Sequence, residues 1–305
     1  GSCIYCNQNA VDTLNYTGAM QTYTVPTGVT SITIEAYGAS GGDASDCSAT
    51  GGQGAIMKGD FSVNSGDLLY VLAGGIGQVE PNGEGGGGGG SFVVDNANNP
   101  LIIAGGGGGA TDNLDNCGSN IFGIDASITT SGTASADGLA AGGVVGMGGS
   151  HYGSGGGGSG GGFMTDGSSG QGNMAYGSSY LNGGAGGIDP HGLALGGYGG
   201  GGGGWSSGGN GGGGGGLSGG GSSSNHPYSG GGGGGSDNTG TNQINFVGNT
   251  GNGLVIISYS TQTCTGCTDP AALNYDSLAL YDDGSCIICD LTTSLTILNA
   301  TNNSS

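Results

Sequence analysis

The chain has 305 residues, of which 83 are glycine, and its formal charge is −20 because 21 acidic residues accompany a single basic one, Lys58. Proteins bind phosphate backbones through lysine and arginine, so this balance excludes nucleic acid as a partner and argues against attraction to an anionic membrane. No apolar run approaches about 18 residues, so we expect no membrane-spanning helix and no direct insertion into a bilayer.

The two ends of the chain carry similar cysteine motifs. Gly1-Ser2-Cys3-Ile4-Tyr5-Cys6 opens the chain, and nearly the same string returns as Gly284-Ser285-Cys286-Ile287-Ile288-Cys289. We interpret residues 1–10 as the end of one small cysteine module and residues 263–290 as another, within a segment of a longer modular array. The cysteines accompany almost no amino groups and many Asn, Ser and Thr residues, which is typical of an oxidising, extracellular setting.

A β domain is predicted for residues 11–262, because short apolar segments alternate with turn residues. In the clearest segment, Val29–Tyr37, alternate residues from Ile32 to Ala36 are apolar and fall on one face of a strand. No window shows a long apolar period of about 3.6 residues, so helix content should be very low. Asn64-Ser65-Gly66 joins two of the segments and predicts a hairpin. The predicted strands are Asn15–Val25, Val29–Tyr37, Ala55–Val63, Asp67–Ala73, Phe92–Asp95, Leu101–Ala104 and Gly253–Tyr259. They indicate an all-β antiparallel sandwich or jelly roll.

A long excursion, from about Gly105 to Asn249, separates two of the predicted strands and holds most of the glycine. Within it, Gly196–Gly235 contains 25 glycines in 40 residues, a composition that suits neither an ordinary helix nor an ordinary strand. One interpretation is a flexible linker. The other is a large insertion of packed polyglycine helices, which have three residues per turn and no internal hydrogen bonds.

We favour the packed helices because predicted strands enclose the tract on both sides. Every buried N–H and C=O group of such a helix needs a partner outside the helix. Because glycine has no Cβ, neighbouring rods can approach closely enough to supply these partners. We expect the rods to stack as a slab on or beside the sandwich.

Two cysteines lie inside the β domain. Cys47 and Cys117 occupy turn-like loops and have no other free cysteine near them in the sequence, so we expect them to form a disulfide. The alternative is a pair of free thiols. Because the disulfide would close a long loop, it would stabilise the domain by a few kcal/mol.

The second cysteine module contains two C-x2-C pairs, formed by Cys264, Cys267, Cys286 and Cys289. The spacing between the pairs fits a zinc ribbon as well as it fits disulfides. The extracellular composition favours disulfides, which would make this a small disulfide-rich module. We expect nested pairing, with Cys267–Cys286 inside Cys264–Cys289.

The same module is rich in oxygen ligands. Five of them fall within 15 residues: Asp269, Asn274, Asp276, Asp282 and Asp283. Calcium takes six to eight oxygen ligands from such loops, although this spacing is not that of an EF-hand. Calcium is therefore the one cofactor that the sequence suggests. The alternative is a set of solvated carboxylates that stabilise turns.

The segment from Gly266 to Cys286 begins with Gly-Cys-Thr-Asp-Pro-Ala-Ala-Leu-Asn-Tyr-Asp and ends with Asp-Asp-Gly-Ser-Cys. It resembles a short repeat of very large secreted surface proteins of the Bacteroidota. That repeat often has a further cysteine near Leu273, which this chain lacks. Residues 291–305 look like the start of a further module, similar to the repeat of giant gliding-motility adhesins of the SprB type. The resemblance implies a module of a long surface adhesin that is exported by a type 9 route.

Tyr16–Gly42 is similar to the opening of glycine-rich domains in bacterial surface proteins and to the glycine-rich region of anaplastic-lymphoma-kinase-type receptors. In those receptors glycine helices pack against a tumour-necrosis-factor-like jelly roll, so the resemblance implies the same combination here. Asp12-Thr13-Leu14 and Asp276-Ser277-Leu278 resemble the Bacteroidota acceptor for O-glycosylation, which implies glycans on Thr13 and Ser277.

Aromatic residues and histidines interrupt the glycine runs, and short loops between rods would display them at the ends of the bundle. Such rings stack on sugars or fill pockets at low entropy cost. Alternatively, they fill spaces within the packed rods. The candidate ligand-binding residues are Tyr176, Tyr180, Tyr198, Trp205, His226 and Tyr228.

The sequence offers no nucleophile–base pair and no metal triad around its three histidines, so we do not expect an enzyme. We expect a non-enzymatic module of a very long cell-surface adhesin or stalk that mediates surface attachment or gliding. Its partners would be neighbouring modules of the same chain and a surface polysaccharide or solid substrate. The alternatives are a structural subunit of an extracellular filament and an ice-binding protein with a flat glycine slab.

Overall fold

The computed structural model describes residues 6–45, 48–79, 83–111, 121–153, 156–169, 176–188, 194–205, 210–223, 229–263, 265–277, 279 and 281–288. The chain divides into two compact units, one made of Ala10–Tyr259 and the other of Gly1–Asn9 with Ser260–Ser305. The larger unit contains most of the two main sheets and the glycine-rich segments.

The described residues form twelve strands: β1 (Cys6–Asn15), β2 (Gln21–Thr24), β3 (Ser31–Tyr37), β4 (Gly54–Ser62), β5 (Leu68–Leu72), β6 (Ser91–Asp95), β7 (Pro100–Ala104), β8 (Asp237–Asn238), β9 (Thr241–Asn249), β10 (Leu254–Thr263), β11 (Thr265–Gly266) and β12 (Tyr281–Asp282). The first sheet has the order β1-β10-β3-β4-β9, and the second has the order β2-β5-β6-β7-β8. β11 and β12 form a separate, parallel pair. The described residues contain no α-helix, and Tyr180–Asn182 form a short 3-10 helix. The expected all-β antiparallel sandwich is confirmed.

Apolar side chains fill the space between the two five-stranded sheets. In β3, Ile32, Ile34 and Ala36 are buried while the residues between them are half-buried, which confirms the alternation expected from the sequence. Val71 and Val93 of the second sheet belong to the same buried cluster. Burying an aliphatic side chain of this size contributes roughly 1.5–3 kcal/mol, so this cluster is a main source of order in the sandwich.

The second sheet is buried on its other face as well. Phe92, Val94 and Ile103 form a cluster there with Phe163 and Tyr180, two residues of the excursion. The last two rings are stacked, with centroids 5.0 Å apart and an interplanar angle of 10°. Because both of their faces are buried, β6 and β7 are largely continuous apolar runs in the sequence rather than alternating ones.

The link Asn64-Ser65-Gly66 is a tight turn but not a hairpin. Gly66 has a φ of +87°, and the Asp67 N–H donates to the Asn64 carbonyl at 3.0 Å. The strand before it, β4, belongs to the first sheet, and the strand after it, β5, belongs to the second. The predicted hairpin is therefore wrong. The turn carries the chain from the first sheet to the second. The apolar faces of β4 and β5 meet in the core, and each of these strands pairs with other strands of its own sheet.

Two predicted boundaries also differ from the structure. The predicted strand Asn15–Val25 is split between β1 and β2, because Gly18 adopts a φ of +72° and interrupts the extended chain. The excursion ends at Ser236 instead of Asn249, since β8 and β9 follow it. The sequence does not predict β9, which is rich in Asn, Gln and Gly; its pairing with β4 overrides the low strand propensity of these residues.

Glycine-rich segments continue the strands at one end of the sandwich. Gly85–Gly90 leads directly into β6, and Gly105–Gly109 follows β7. At this junction the buried hydroxyl of Ser91 donates to the Tyr37 carbonyl at 2.5 Å and accepts the Gly74 N–H at 2.9 Å. The expected slab on or beside the sandwich is therefore only partly right, because these segments extend from its end. We call the described parts of residues 38–54, 74–90, 105–111 and 121–236 the glycine lattice.

Backbone hydrogen bonds in the glycine lattice follow a repeat of three. From Gly85 to Gly90, successive N–H groups donate to segments 107–110, 75–78 and 199–202, and then to the same three segments again, at 2.8–3.0 Å. From Gly212 to Leu217, the N–H groups donate in the same way to segments 85–88, 158–161 and 232–235. A segment of this kind is therefore bonded to neighbours on three sides through its donors alone.

The segments of the lattice approach each other too closely for side chains. A Cβ on Gly87 would lie 2.1 Å from the Gly213 carbonyl oxygen, and a Cβ on Gly38 would lie 1.9 Å from the Gly105 carbonyl oxygen. Such distances are far below van der Waals contact, so these positions require glycine. The described glycine segments are buried and hydrogen-bonded, which excludes the flexible-linker interpretation for them.

Candidate functional site

The end of the glycine lattice that lies away from the sheets gathers residues from distant parts of the chain. The Thr111 N–H donates to the Ile121 carbonyl at 2.7 Å, and the Thr111 hydroxyl donates to the Ser229 carbonyl. The Gly211 N–H donates to the Thr111 hydroxyl at 2.9 Å, while the Ser223 N–H donates to the Gly211 carbonyl at 3.2 Å. We call these five residues the lattice tip. The chain segments that begin or end at them therefore meet at one place.

Trp205 is the predicted contact residue that the structure places beside the lattice tip. Its N–H donates to the Asn210 carbonyl at 3.0 Å, next to Gly211, and its side chain is half-buried. His226 and Tyr228 lie outside the described residues, in a segment whose neighbours are tip residues on both sides. The geometry thus brings the attachment points of three predicted contact residues together.

Tyr180, another predicted contact residue, is buried. Tyr180 is 5% exposed, and its centroid lies 5.0 Å from those of Phe92 and Phe163. Burial raises the pKa of Tyr180 to about 12. This burial favours the alternative interpretation, in which the ring fills a space in the packing, because the apolar outer face of the second sheet covers Tyr180. Tyr198 is half-buried against the same cluster, and Tyr176 is half-buried in the lattice.

Local hydrogen bonds fix the 3-10 helix that carries Tyr180. The Ser179 hydroxyl accepts the Asn182 N–H, and Gly183 ends the helix with a φ of 95°. Asp166 accepts the Ser179 N–H at 2.7 Å and the Asn182 amide at 2.9 Å. Burial alone would raise the pKa of Asp166, but these hydrogen bonds outweigh it and hold the pKa below its usual value. The ring is thereby positioned for packing.

Cys47 and Cys117 lie outside the described residues, so their predicted disulfide stays a prediction. The residues on either side of them nevertheless meet in one small buried cluster, formed by Ala44, Ala49, Ala110 and Ile121. The two segments that contain these cysteines therefore start and end next to each other, close to the lattice tip.

A polar groove of about 450 Å³ runs along the side of the lattice. Asp43 and Asp125 line it together with Thr50 and Gln53. The Asp43 carboxylate accepts the Gly51 N–H at 2.9 Å, and the Asp125 carboxylate accepts the Gln53 N–H at 2.7 Å. The groove offers acceptors and hydroxyls to a hydroxyl-rich ligand. Sequence reasoning misses it, because its lining residues come from separate segments that only the fold brings together.

In the smaller unit, Cys267 and Cys286 form a disulfide with their Cα atoms 4.8 Å apart. This confirms the inner pair of the predicted nested arrangement. It also excludes zinc at these two residues, because zinc binds cysteine as a thiolate. Cys264 and Cys289 lie outside the described residues, so the outer pair stays a prediction.

The predicted calcium ligands are occupied in local structure. The carboxylates of Asp269, Asp282 and Asp283 each accept the N–H of the residue two positions later, at 2.8, 3.1 and 2.9 Å. Asn274 uses its side-chain amide to hold two backbone groups of a neighbouring segment at 2.7 and 2.8 Å. Within the described ranges, which include Asp276, no three His, Cys, Asp or Glu side chains are grouped so that they could hold a metal ion. The hydrogen bonds of Asp269, Asp282 and Asp283 favour the alternative, turn-stabilising carboxylates.

The two predicted glycosylation sites are exposed. Thr13 lies on β1, at the edge of the first sheet, and Ser277 lies in a turn of the smaller unit. Both hydroxyls are therefore accessible to a modifying enzyme, and the glycans themselves stay a prediction.

Comparisons with known proteins add no further assignment to these sites. In the part of the chain that the structure describes, no helix is long and apolar enough to cross a membrane. No protein-family model matches the chain, and no curated protein matches it either.

Proposed function

We propose that this chain is a non-enzymatic module of a long extracellular adhesin or stalk. In this proposal the glycine lattice is a stiff support that carries a contact surface away from the β-sandwich. The observation that carries the proposal is the layout of the lattice: strands enter it at one end, and residues from distant parts of the sequence meet at the other.

The glycine segments are proposed to be polyglycine helices packed against a jelly roll. The repeat of three in the hydrogen bonds supports this, because such a helix has about three residues per turn. No glycine in Gly85–Gly90 or Gly211–Gly216 has a positive φ, so each segment can keep one hand throughout. Gly199 and Gly200 have φ values of 103° and 83°, where the chain changes direction. The two antiparallel five-stranded sheets support the jelly roll.

Stiffness follows from this arrangement. A helix of the length of Gly211–Gly216 would span about 19 Å, and its N–H groups are bonded to three different neighbours. Bending one rod would break hydrogen bonds to all of its neighbours, and unpaired buried N–H groups are costly. A lattice of this kind suits a spacer or a rigid mount for a recognition surface.

The proposed ligand is a surface polysaccharide or a solid substrate, and the proposed contact residues are Trp205, His226 and Tyr228. Aromatic rings stack on sugars, and the groove beside Asp43 and Asp125 adds hydrogen-bond acceptors. An extracellular setting is supported by the Cys267–Cys286 disulfide, since disulfides persist in oxidising compartments.

The test measures adsorption of the full chain to polysaccharide-coated and bare mineral surfaces with a quartz-crystal microbalance. We expect Trp205→Ala and Tyr228→Ala each to reduce adsorption severalfold while the melting temperature stays unchanged. The matched control is Tyr281→Ala, which removes a 59% exposed ring far from the tip in sequence. Adsorption that is absent, or that falls equally in the control, would contradict the proposal.

A further inference from the structure

The edges of the two sheets differ in length. The second sheet ends in short strands, β2 with four residues and β8 with two. The first sheet ends in two long strands, β1 with ten residues and β9 with nine. A long edge strand presents unpaired N–H and C=O groups that can pair with another chain, and proteins usually protect such edges with charges or proline.

β9 carries neither form of protection. Its sequence, Thr-Asn-Gln-Ile-Asn-Phe-Val-Gly-Asn, has no charged residue and no proline. The uncharged stretch extends from residue 238 to residue 268, although the whole chain has a formal charge of −20. Two copies of this strongly anionic chain can therefore meet along β9 without repulsion between charges of the strand itself.

Two large apolar side chains of β9 are exposed. Ile244 is 55% exposed and Phe246 is 48% exposed. Their partners in β4 are Lys58 and Ile56, so both project from the outer face of the first sheet. Near the start of the strand, Asn242 has a φ of 50° and donates to the Asp60 carboxylate. The register with β4 shifts there and again between Val247 and Asn249, so the regular part of the edge is Ile244–Val247.

We infer that β9 is a self-association edge, at which β9 of one copy pairs antiparallel with β9 of a second copy. Pairing centred on Asn245 sets Ile244 of each copy opposite Phe246 of the other. Aromatic and β-branched residues form favourable cross-strand pairs on one face of a sheet. The arrangement is two-fold symmetric, so both copies use the same surface. The first sheet of one copy and the first sheet of the other then become one continuous sheet.

A second copy fits this edge better than an unrelated strand does. The twofold pairing satisfies the outward main-chain groups of both copies at once, and each exposed apolar side chain finds its complement on the other copy. The inference is independent of the proposed adhesive function, because a monomeric chain can still adsorb to a surface through the lattice tip.

The test is sedimentation velocity on the full chain over a range of concentrations, at low and at high NaCl. We expect a monomer–dimer equilibrium that strengthens with salt, because screening removes the repulsion between two anionic chains. The variant Phe246→Lys should raise the dimer dissociation constant at least about tenfold, since it removes two cross-strand pairs and places two charges at the interface. The salt response and the variant test the charge and the pairing separately.

The matched control is Val11→Lys, which places the same charge on β1, the other long edge of the first sheet, at a position that is 62% exposed. It should leave the dissociation constant within about twofold of the original, and both variants should keep the original melting temperature, since exposed substitutions change stability little. A chain that stays monomeric at every concentration overturns the inference. Equal weakening by both variants, or a dimer that Phe246→Lys leaves intact, overturns it as well.

Discussion

The sandwich and the glycine lattice are both buried, yet different atoms hold them together. In the sandwich, side chains such as Ile102 and Phe92 are at most 1% exposed and fill the space on either side of the second sheet. In the lattice, Gly87 approaches the backbone of Gly213 so closely that a Cβ would lie 2.1 Å from its carbonyl oxygen. Order in the first region depends on buried apolar area, and order in the second depends on backbone hydrogen bonds.

Buried hydroxyls connect the two regions. Ser91 is fully buried and bridges the Tyr37 carbonyl and the Gly74 N–H. Ser236, which is 1% exposed, accepts the Gly105 N–H at 2.9 Å and donates to a carbonyl of the excursion. A strand ladder and a lattice with a repeat of three cannot match every donor and acceptor where they join, so short hydroxyl side chains complete the hydrogen bonds there.

The largest expected effect lies in the apolar core. Phe92→Ala should lower the free energy of unfolding by about 4 kcal/mol, because it leaves a cavity between the second sheet and the ring of Tyr180. Urea unfolding of the full chain would measure the change. Phe122→Ala, at a position that is 43% exposed, is the control and should change the value by less than about 1 kcal/mol. Similar losses in the two variants would contradict the conclusion that the buried packing of Phe92 stabilises the sandwich.

A single methyl group tests the lattice. Gly87→Ala should cost about 3 kcal/mol, since the new Cβ would overlap a carbonyl oxygen and push two hydrogen-bonded segments apart. The control Gly251→Ala adds the same methyl where no atom lies within 4 Å, and it should be nearly neutral. Both can be compared by thermal unfolding. If Gly87→Ala has the same melting temperature as the original chain, the lattice is packed more loosely than its hydrogen bonds indicate.

The junction should respond less strongly. Ser91→Ala removes one hydroxyl and leaves the Gly74 N–H and the Tyr37 carbonyl without it, so we expect a loss of about 2 kcal/mol. Hydrogen exchange at the Gly74 amide, measured by NMR, should become faster in the same variant. Ser65→Ala, in an exposed turn, provides the comparison and should change neither quantity. Unchanged exchange at Gly74 in the junction variant would argue against the bridging role.

The smallest effect is a dependence on alkaline pH. Burial raises the pKa of Tyr180 to about 12, whereas an unfolded tyrosine ionises near pH 10. The stability from its neutral ring is therefore complete below about pH 10 and is lost as the pH rises through about 12. Urea unfolding between these values should show a shallower decline in the variant Tyr180→Phe. An identical decline in both proteins would remove Tyr180 as the cause.

Much of the sandwich can be predicted from its sequence. The alternation of Ile32, Ile34 and Ala36 defines β3 and its buried face, because the side chains of a strand point to opposite faces in turn. The link at Asn64-Ser65-Gly66 misleads, since a turn signal describes the local backbone and does not say which sheet the next strand joins. β9 is missed for a related reason, because pairing with β4 decides its conformation.

The candidate sites show the same division. The spacing of Cys267 and Cys286 fits a local pairing, and the structure contains that disulfide. Tyr180 was a plausible surface ring by sequence, but its position depends on an apolar sheet face more than 70 residues away in the chain, and it is buried there. The groove at Asp43 and Asp125 has no sequence signal, because its walls come from segments that are distant in the chain.

The sequence by itself determined that this is an all-β chain with little helix, that long-range order in the glycine tract would have to come from the backbone, and that a chain with a single basic residue is unsuited to binding phosphate backbones. These properties follow from residue chemistry and short-range periodicity. Only the tertiary structure decided that the glycine segments continue the strands from one end of the sandwich, and that Thr111, Gly211 and Ser229 meet at the end of the glycine lattice away from the sheets. Glycine has no side chain to encode a neighbour, so the partner of each segment is set by the anchored strands that precede and follow it.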